Sequence, residues 1–186
     1  MKIKETIIPG CLEITAEPFS DERGIFIKTF HRDLFAAHGM QTDFEEEFHS
    51  VSRRGVLRGL HFQLPPKEHA KMVWLMEGEA LDAVVDLRVG SPTYGRHLLF
   101  QLTPKNPTVL YIPPGLAHGF YARTDNTAMM YKVTRGYSPE HDSGILWNSA
   151  GIPWPDVAPL LSPRDRNLIA FSSFASPFQY EERTSR

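Results

Sequence analysis

Arg58, His61, Lys71 and His118 are the residues of this 186-residue chain whose types and spacing suit proton transfer or anion binding. In Gly55-Val56-Leu57-Arg58-Gly59-Leu60-His61-Phe62-Gln63, an arginine and a histidine interrupt an otherwise apolar run. A histidine is a base that titrates near neutrality, and an arginine is a forked donor for phosphate or carboxylate. Three residues apart on an ideal strand, the two side chains point to opposite faces. A bulge at Gly59 would bring both to one face. Lys71 opens the next run, Lys71-Met72-Val73-Trp74-Leu75, and Pro114-Gly115-Leu116-Ala117-His118-Gly119-Phe120 holds a second histidine between two glycines. Charged groups on inward-facing strands cost free energy unless they serve a ligand or each other, so the cluster reads as a site. The competing reading of His118 is a satisfied core histidine. Asp82 and Asp86 read as structural, pairing with basic groups or facing water.

Other chemistries find less support. A small metal-binding barrel would carry His-x-His, but Gln63 stands where the second histidine belongs. Glu68 and His69 lie in a Pro-flanked loop, and His118 with one further histidine holds a transition metal poorly; no metal and no cofactor is expected. Neither Gly-x-Gly-x-x-Gly, nor a Walker loop, nor Gly-x-Ser-x-Gly occurs, which leaves nicotinamide, ATP and serine-hydrolase chemistry without a motif. Cys11, a lone cysteine, cannot form an internal disulfide and fits a reducing compartment. A net charge of −2 offers no electrostatic case for nucleic acid. No apolar run approaches the roughly 20 residues of a membrane span, and the N-terminus lacks a signal-peptide stretch; a cytoplasmic location is expected.

The elements that must position these groups are short strands. Fifteen Pro and 13 Gly cut the chain into runs at Ile14 to Phe19, Gly24 to Phe30, Val56 to Phe62, Lys71 to Met76, Glu79 to Leu87, His97 to Leu102, Thr108 to Ile112, His118 to Ala122 and Ala128 to Thr134. Val73, Leu75, Leu81, Ala83, Val85 and Leu87 follow period two, with a turn at Glu77-Gly78. The best helix candidate is His31 to Gly39, with Gly39 as its C-terminal stop. Strand after strand without long helices predicts an all-β antiparallel sandwich or barrel. One domain is expected over 1–180. The Pro-rich segment after about Trp154 wraps the barrel, and 181–186 forms a polar tail.

At these residues the chain resembles the nucleotide-sugar 3,5-epimerase family typified by dTDP-4-dehydrorhamnose 3,5-epimerase. The marks run from about Ile7 to Asp165: Asp21-x-Arg23-Gly24-x-Phe26, the Gly55–Gln63 run, Asp86-Leu87-Arg88-x-Gly90-Ser91-Pro92-Thr93, Pro114–Phe120, Tyr131, Tyr137 with Pro139 and Glu140, Trp154-Pro155 and Leu161-Ser162-Pro163-Arg164-Asp165. The resemblance implies a cupin-type jelly roll without metal, a homodimer that exchanges N-terminal strands, and a nucleotide-diphosphate-linked 4-keto-6-deoxy sugar as substrate, epimerised at C3, C5 or both. It implies His61 as general base held by Asp165, Tyr131 as acid on the opposite sugar face, and Lys71 as stabiliser of the enolate. It places Arg23 and Arg58 on the pyrophosphate, Phe26 near the nucleotide or sugar, and His118 and Tyr137 in the pocket. Three positions depart from the family pattern: Lys28 replaces a Glu, and Glu46 and Phe48 replace a Gln and an Asn in the region that recognises the handle. Lys28 and Glu46 form a candidate swapped charge pair. These departures leave open a CDP-linked substrate or inversion at a single carbon. A related ketoisomerase or a non-catalytic sugar-nucleotide-binding cupin are the other readings.

Overall fold

The computed structural model describes residues 1–182, so the tail expected over 181–186 falls largely outside the described residues. Two antiparallel sheets face each other. The first has the order β1 (Lys2–Glu5), β2 (Leu12–Thr15), β10 (Thr108–Ile112), β7 (Lys71–Glu77), β12 (Thr127–Val133), β5 (Glu46–Ser52). The second runs β13 (Asp142–Gly144), β6 (Leu57–Gln63), β11 (Leu116–Ala122), β8 (Ala80–Asp86), β9 (His97–Leu102). A separate hairpin pairs β3 (Phe19–Asp21) with β4 (Gly24–Phe26). This is the all-β antiparallel architecture that the strand succession predicts, in the jelly-roll form that the resemblance implies. The turn at Gly78 does not close a hairpin: it carries the chain from β7 in one sheet to β8 in the other, because both strands are needed on opposite walls.

Apolar side chains at alternate positions fill the barrel, among them Val73, Leu75, Leu110 and Met129 from one sheet and Val84, Leu102, Leu116 and Phe120 from the other. The outer face of the first sheet is apolar as well, at Leu12, Ile14, Met72, Trp74, Val109 and Tyr111, and is covered by Phe35 of α1 (Arg32–Ala37) and by Met40 just after that helix. His31 caps that helix by accepting from the Leu34 N–H at 3.3 Å, and Gly39, at φ +71°, leaves it in the conformation that glycine adopts freely. The outer face of the second sheet is covered by the C-terminal segment. Phe62 packs on Phe174 and Phe178, and bridges Val56–Leu160, Ile145–Ile169 and Val89–Gln179 tie the segment down. Covering both faces explains why every residue of β8 and β11 is buried.

Several elements escape the sequence reading, three of them near the chain ends or the cavity. β1 and β5 are polar strands, and α2 (Pro163–Arg166) is a four-residue turn capped by Ser162, whose hydroxyl accepts from the Asp165 N–H at 3.0 Å.

Candidate active site

The barrel opens at one end into a cavity of about 620 Å³. β6 builds its floor. Between His118↔His61 and Phe120↔Arg58 the register slips, with three residues of β6 opposite two of β11. This is the bulge expected at Gly59, and it lets both Arg58 and His61 line the cavity. The site of the bulge admits no side chain: a Cβ on Gly59 would lie 2.6 Å from the Gly119 Cα, at φ +137°.

His61 donates through Nε2 to Asp165 Oδ1 at 2.6 Å. The acceptor-only carboxylate fixes the tautomer, so Nδ1 keeps the basic lone pair. Burial holds the His61 imidazole below its ordinary value of 6.5 in spite of the Asp165 charge. Burial works to raise the Asp165 carboxyl, but the His61 bond and charge, the Gly59 N–H and the Ser162 hydroxyl outweigh it and the group ends lowered. The pair is therefore a neutral imidazole on an ionised carboxylate, ready to accept a proton.

A second pair of the same kind lies across β11. His118 Nε2 donates to Asp82 Oδ2 at 2.7 Å, which confirms Asp82 as the partner of a basic group and removes the water-facing alternative. Asp86, equally buried, takes Arg88, Ser91 and Thr93. The His61 side chain is 26% exposed and that of His118 only 4%. Burial raises the Asp82 carboxyl against the pull of His118, and its Oδ1 is buried without a partner among the described residues. Accessibility and the support of its carboxylate thus make His61, rather than His118, the histidine that can exchange a proton with a molecule in the cavity.

Lys71, at the start of β7, donates to the His61 carbonyl at 3.0 Å. Burial brings its ammonium down to about 8 from 10.5, a cation still mostly protonated at neutral pH. Tyr131 stands on β12, the neighbour of β7, across the barrel from His61 on β6. Burial, then the Asp82 charge, push its phenol far above the ordinary range, so it remains a proton donor. Phe48 stacks on it at 4.8 Å. Glu46 and Tyr137 complete the mouth, where Glu46 Oε2 accepts the Tyr137 N–H at 2.7 Å.

Of the residues singled out in the sequence, the cavity gathers His61, Asp165, Lys71, Tyr131, Arg58, His118, Glu46, Phe48 and Tyr137. Among the described residues its lining does not include Arg23, Phe26 or Lys28. Arg23 pairs with Asp21 on the exposed β3–β4 hairpin, Phe26 is exposed there, and Lys28 follows it, without an ion pair to Glu46 among the described residues of this chain. The sequence reading missed Ser50, His69, Arg135, Asp142 and Arg164 on the wall. Arg164 meets Asp142 at 2.8 Å; the Ser162-Pro163 start of a helical turn, a readable cap, was the available signal for that wall. Gln63 does not point free into the cavity: its amide donates to Lys67 O at 2.8 Å and His69 Nδ1 at 3.0 Å and accepts from the Ser138 N–H at 2.7 Å.

Comparison with known proteins places this geometry. The model of the dTDP-4-dehydrorhamnose 3,5-epimerase family matches residues 5–173. The chain is 41% identical over 170 residues to a dTDP-4-dehydrorhamnose 3,5-epimerase of Shigella flexneri, covering 90% of this chain and 94% of that one. It is 40% identical over 172 residues to a dTDP-4-dehydrorhamnose 3-epimerase of Streptomyces niveus, covering 91% and 83%. Its fold superposes with a TM-score of 0.92, at 32% identity and 97% and 99% coverage, on a dTDP-6-deoxy-D-glucose-3,5-epimerase of Legionella pneumophila in complex with dTDP-4-keto-L-rhamnose.

Proposed function

The chain belongs to the dTDP-4-dehydrorhamnose 3,5-epimerase family, and we propose that it inverts C3, C5 or both of a dTDP-linked 4-keto-6-deoxy sugar through an enolate. The observation that carries the reading is the 2.6 Å His61–Asp165 pair opening into a cavity that Lys71 and Tyr131 also line. His61 Nδ1 takes the proton α to the ketone. The C–H electron pair moves into the C3–C4 or C4–C5 bond and the carbonyl pair onto the C4 oxygen. The Lys71 ammonium balances that oxyanion in a dry pocket, an effect commonly worth several kcal/mol. The Tyr131 hydroxyl gives its proton to the opposite face of the carbon, and the phenolate and imidazolium then re-equilibrate with water. Arg58 is the in-chain ligand for pyrophosphate, with Glu46, Tyr137 and His118 lining the remainder of the substrate path.

The proposed homodimer, with N-terminal strands exchanged, supplies the missing handle contacts. Phe19, Ile25 and Phe26 are exposed on one short hairpin, a surface that asks for a partner, and Arg23 and Lys28 travel with it. The lone, buried Cys11 supports a reducing, cytoplasmic setting. No helix among the described residues is long and apolar enough to cross a membrane.

Solvent deuterium wash-in to dTDP-4-keto-6-deoxyglucose, read by NMR, tests the reading. Incorporation at C3 and C5 with inversion is expected, and none in His61→Asn. Incorporation at C3 alone would select the single-centre activity that the name of the Streptomyces niveus relative describes. A chain that washes deuterium into no nucleotide sugar is not an epimerase.

A further inference from the structure

We infer that Phe48 is a positioning residue for the proton donor, and that it sets how the enolate divides between inversion and return. The inference rests on the epimerase reading above. Phe48 and Tyr131 are directly opposed in the β5–β12 register, and their rings stack at 4.8 Å with 12° between planes. The Tyr131 ring also meets His118 edge-on at 6.1 Å and 70°. The phenol ring is thus held by one parallel ring and one perpendicular ring. Tyr131 is 8% exposed and Phe48, stacked on it, 44%, so Phe48 presents ring area to solvent beside a buried donor. The family pattern carries Asn here, a side chain that neither stacks nor excludes water over such an area.

The geometry gives the stack a restricted reach. Base and acid stand on opposite sheets: His61 on β6 with Asp165 on α2, Tyr131 on β12 beside the edge strand β5. Once the enolate has formed, a proton arrives from His61 on the original face or from Tyr131 on the other. A fixed O–H direction favours the second route. Removing the ring frees the phenol to rotate away and admits water, and return from His61 gains. The measured quantity is the ratio of deuterium at retained centres, delivered by a His61 imidazolium that has exchanged its proton with D2O, to inverted product, a partition within the same turnovers that does not depend on enzyme amount or substrate affinity.

The test compares wild type, Phe48→Leu and Phe48→Tyr in D2O with dTDP-4-keto-6-deoxyglucose. Phe48→Leu is expected to raise the retained-to-inverted ratio roughly 3- to 10-fold, the factor that one aromatic pair supplies, while Phe48→Tyr, which keeps the ring, stays near wild type. An unchanged ratio in Phe48→Leu overturns the inference. So does an equal rise in both variants, since the ring would then not be the cause. A wild-type chain that incorporates no deuterium overturns the epimerase reading and this inference with it. A wild-type chain that inverts normally while Phe48→Leu matches it removes only the role of Phe48.

Discussion

Lys71 offers the sharpest test of the proposed chemistry, because its burial has consequences of opposite sign for activity and stability. The fall of its ammonium from 10.5 to about 8 corresponds to a cost on the order of 3 kcal/mol for holding the charge in the folded state. The unfolded chain binds more protons than the folded one between about pH 8 and 10.5, so the Lys71 contribution to stability rises with pH through that window. Activity moves the other way. On the proposed mechanism the enolate oxygen needs the cation, and kcat should decline tenfold per pH unit above about 8. The acidic limb belongs to His61 and lies below 6.5, because burial depresses that imidazole. Tyr131 is displaced upward and contributes nothing near pH 8. Lys71→Met should lose roughly 10²- to 10³-fold in kcat, the usual consequence of deleting one donor to a developing oxyanion, and should melt no lower than wild type at pH 7. Lys71→Arg should retain part of the rate and carry the basic limb beyond pH 10, since guanidinium stays charged. Initial rates of deuterium wash-in from pH 5 to 10, with thermal melts of the same samples, supply both readouts. A basic limb that stays near 8 in Lys71→Arg would refute the assignment, as would Lys71→Met turning over like wild type.

Three further outcomes follow from the geometry. Asp165→Asn leaves His61 with a neutral partner that does not support imidazolium, and wash-in should fall on the order of 10³-fold or more with an unchanged circular dichroism spectrum. Gly59→Ala sets a Cβ 2.6 Å from the Gly119 Cα at a positive φ, so chemical denaturation should show a loss of more than about 1 kcal/mol; an unaltered midpoint would mean that the two strands do not approach so closely. Ile25→Asp on the exposed hairpin should shift sedimentation from dimer to monomer and weaken substrate binding, whereas a variant that sediments as wild type would argue against exchange through this hairpin.

How much of this was legible in the sequence depended on what each strand faces. β7, β8, β10 and β12 bury apolar side chains and announce themselves by composition. β5 does not: Glu46, Phe48, Ser50 and Ser52 point inward, three of them onto the cavity, and the inward Ser52 hydroxyl accepts from Arg58 Nε at 3.0 Å. A strand that lines a cavity built from polar groups carries polar residues on its inner face, so the hydrophobic alternation that reveals strands is missing around the cavity. The same holds for Asp165. It lies 104 residues from His61, on a helical turn too short to show a period, and only the family pattern named it as the partner. Local reading did recover the bulge at Gly59, since an arginine and a histidine three apart can share one face only through such an irregularity.

The two His–Asp pairs show why residue identity underdetermines role. Both histidines follow a glycine by two or three residues, and both donate Nε2 to a carboxylate at nearly the same distance, 2.6 and 2.7 Å. The surroundings of the carboxylates differ. Asp165 sits at a helical turn with the Ser162 hydroxyl and the Gly59 N–H around it, which hold it ionised. Asp82, on β8, has one oxygen without a partner among the described residues, and burial raises its carboxyl. A carboxylate whose charge is well supported strengthens a base more than one whose charge burial disfavours. The pair on the opening can therefore cycle a proton, while the enclosed pair fixes the orientation of His118 against the Tyr131 ring. The barrel thus uses one motif twice on neighbouring strands, once at the opening and once enclosed against the Tyr131 ring, and the difference is made by the Gly59 N–H and the Ser162 hydroxyl around Asp165, which no inspection of His61 or His118 alone would reveal.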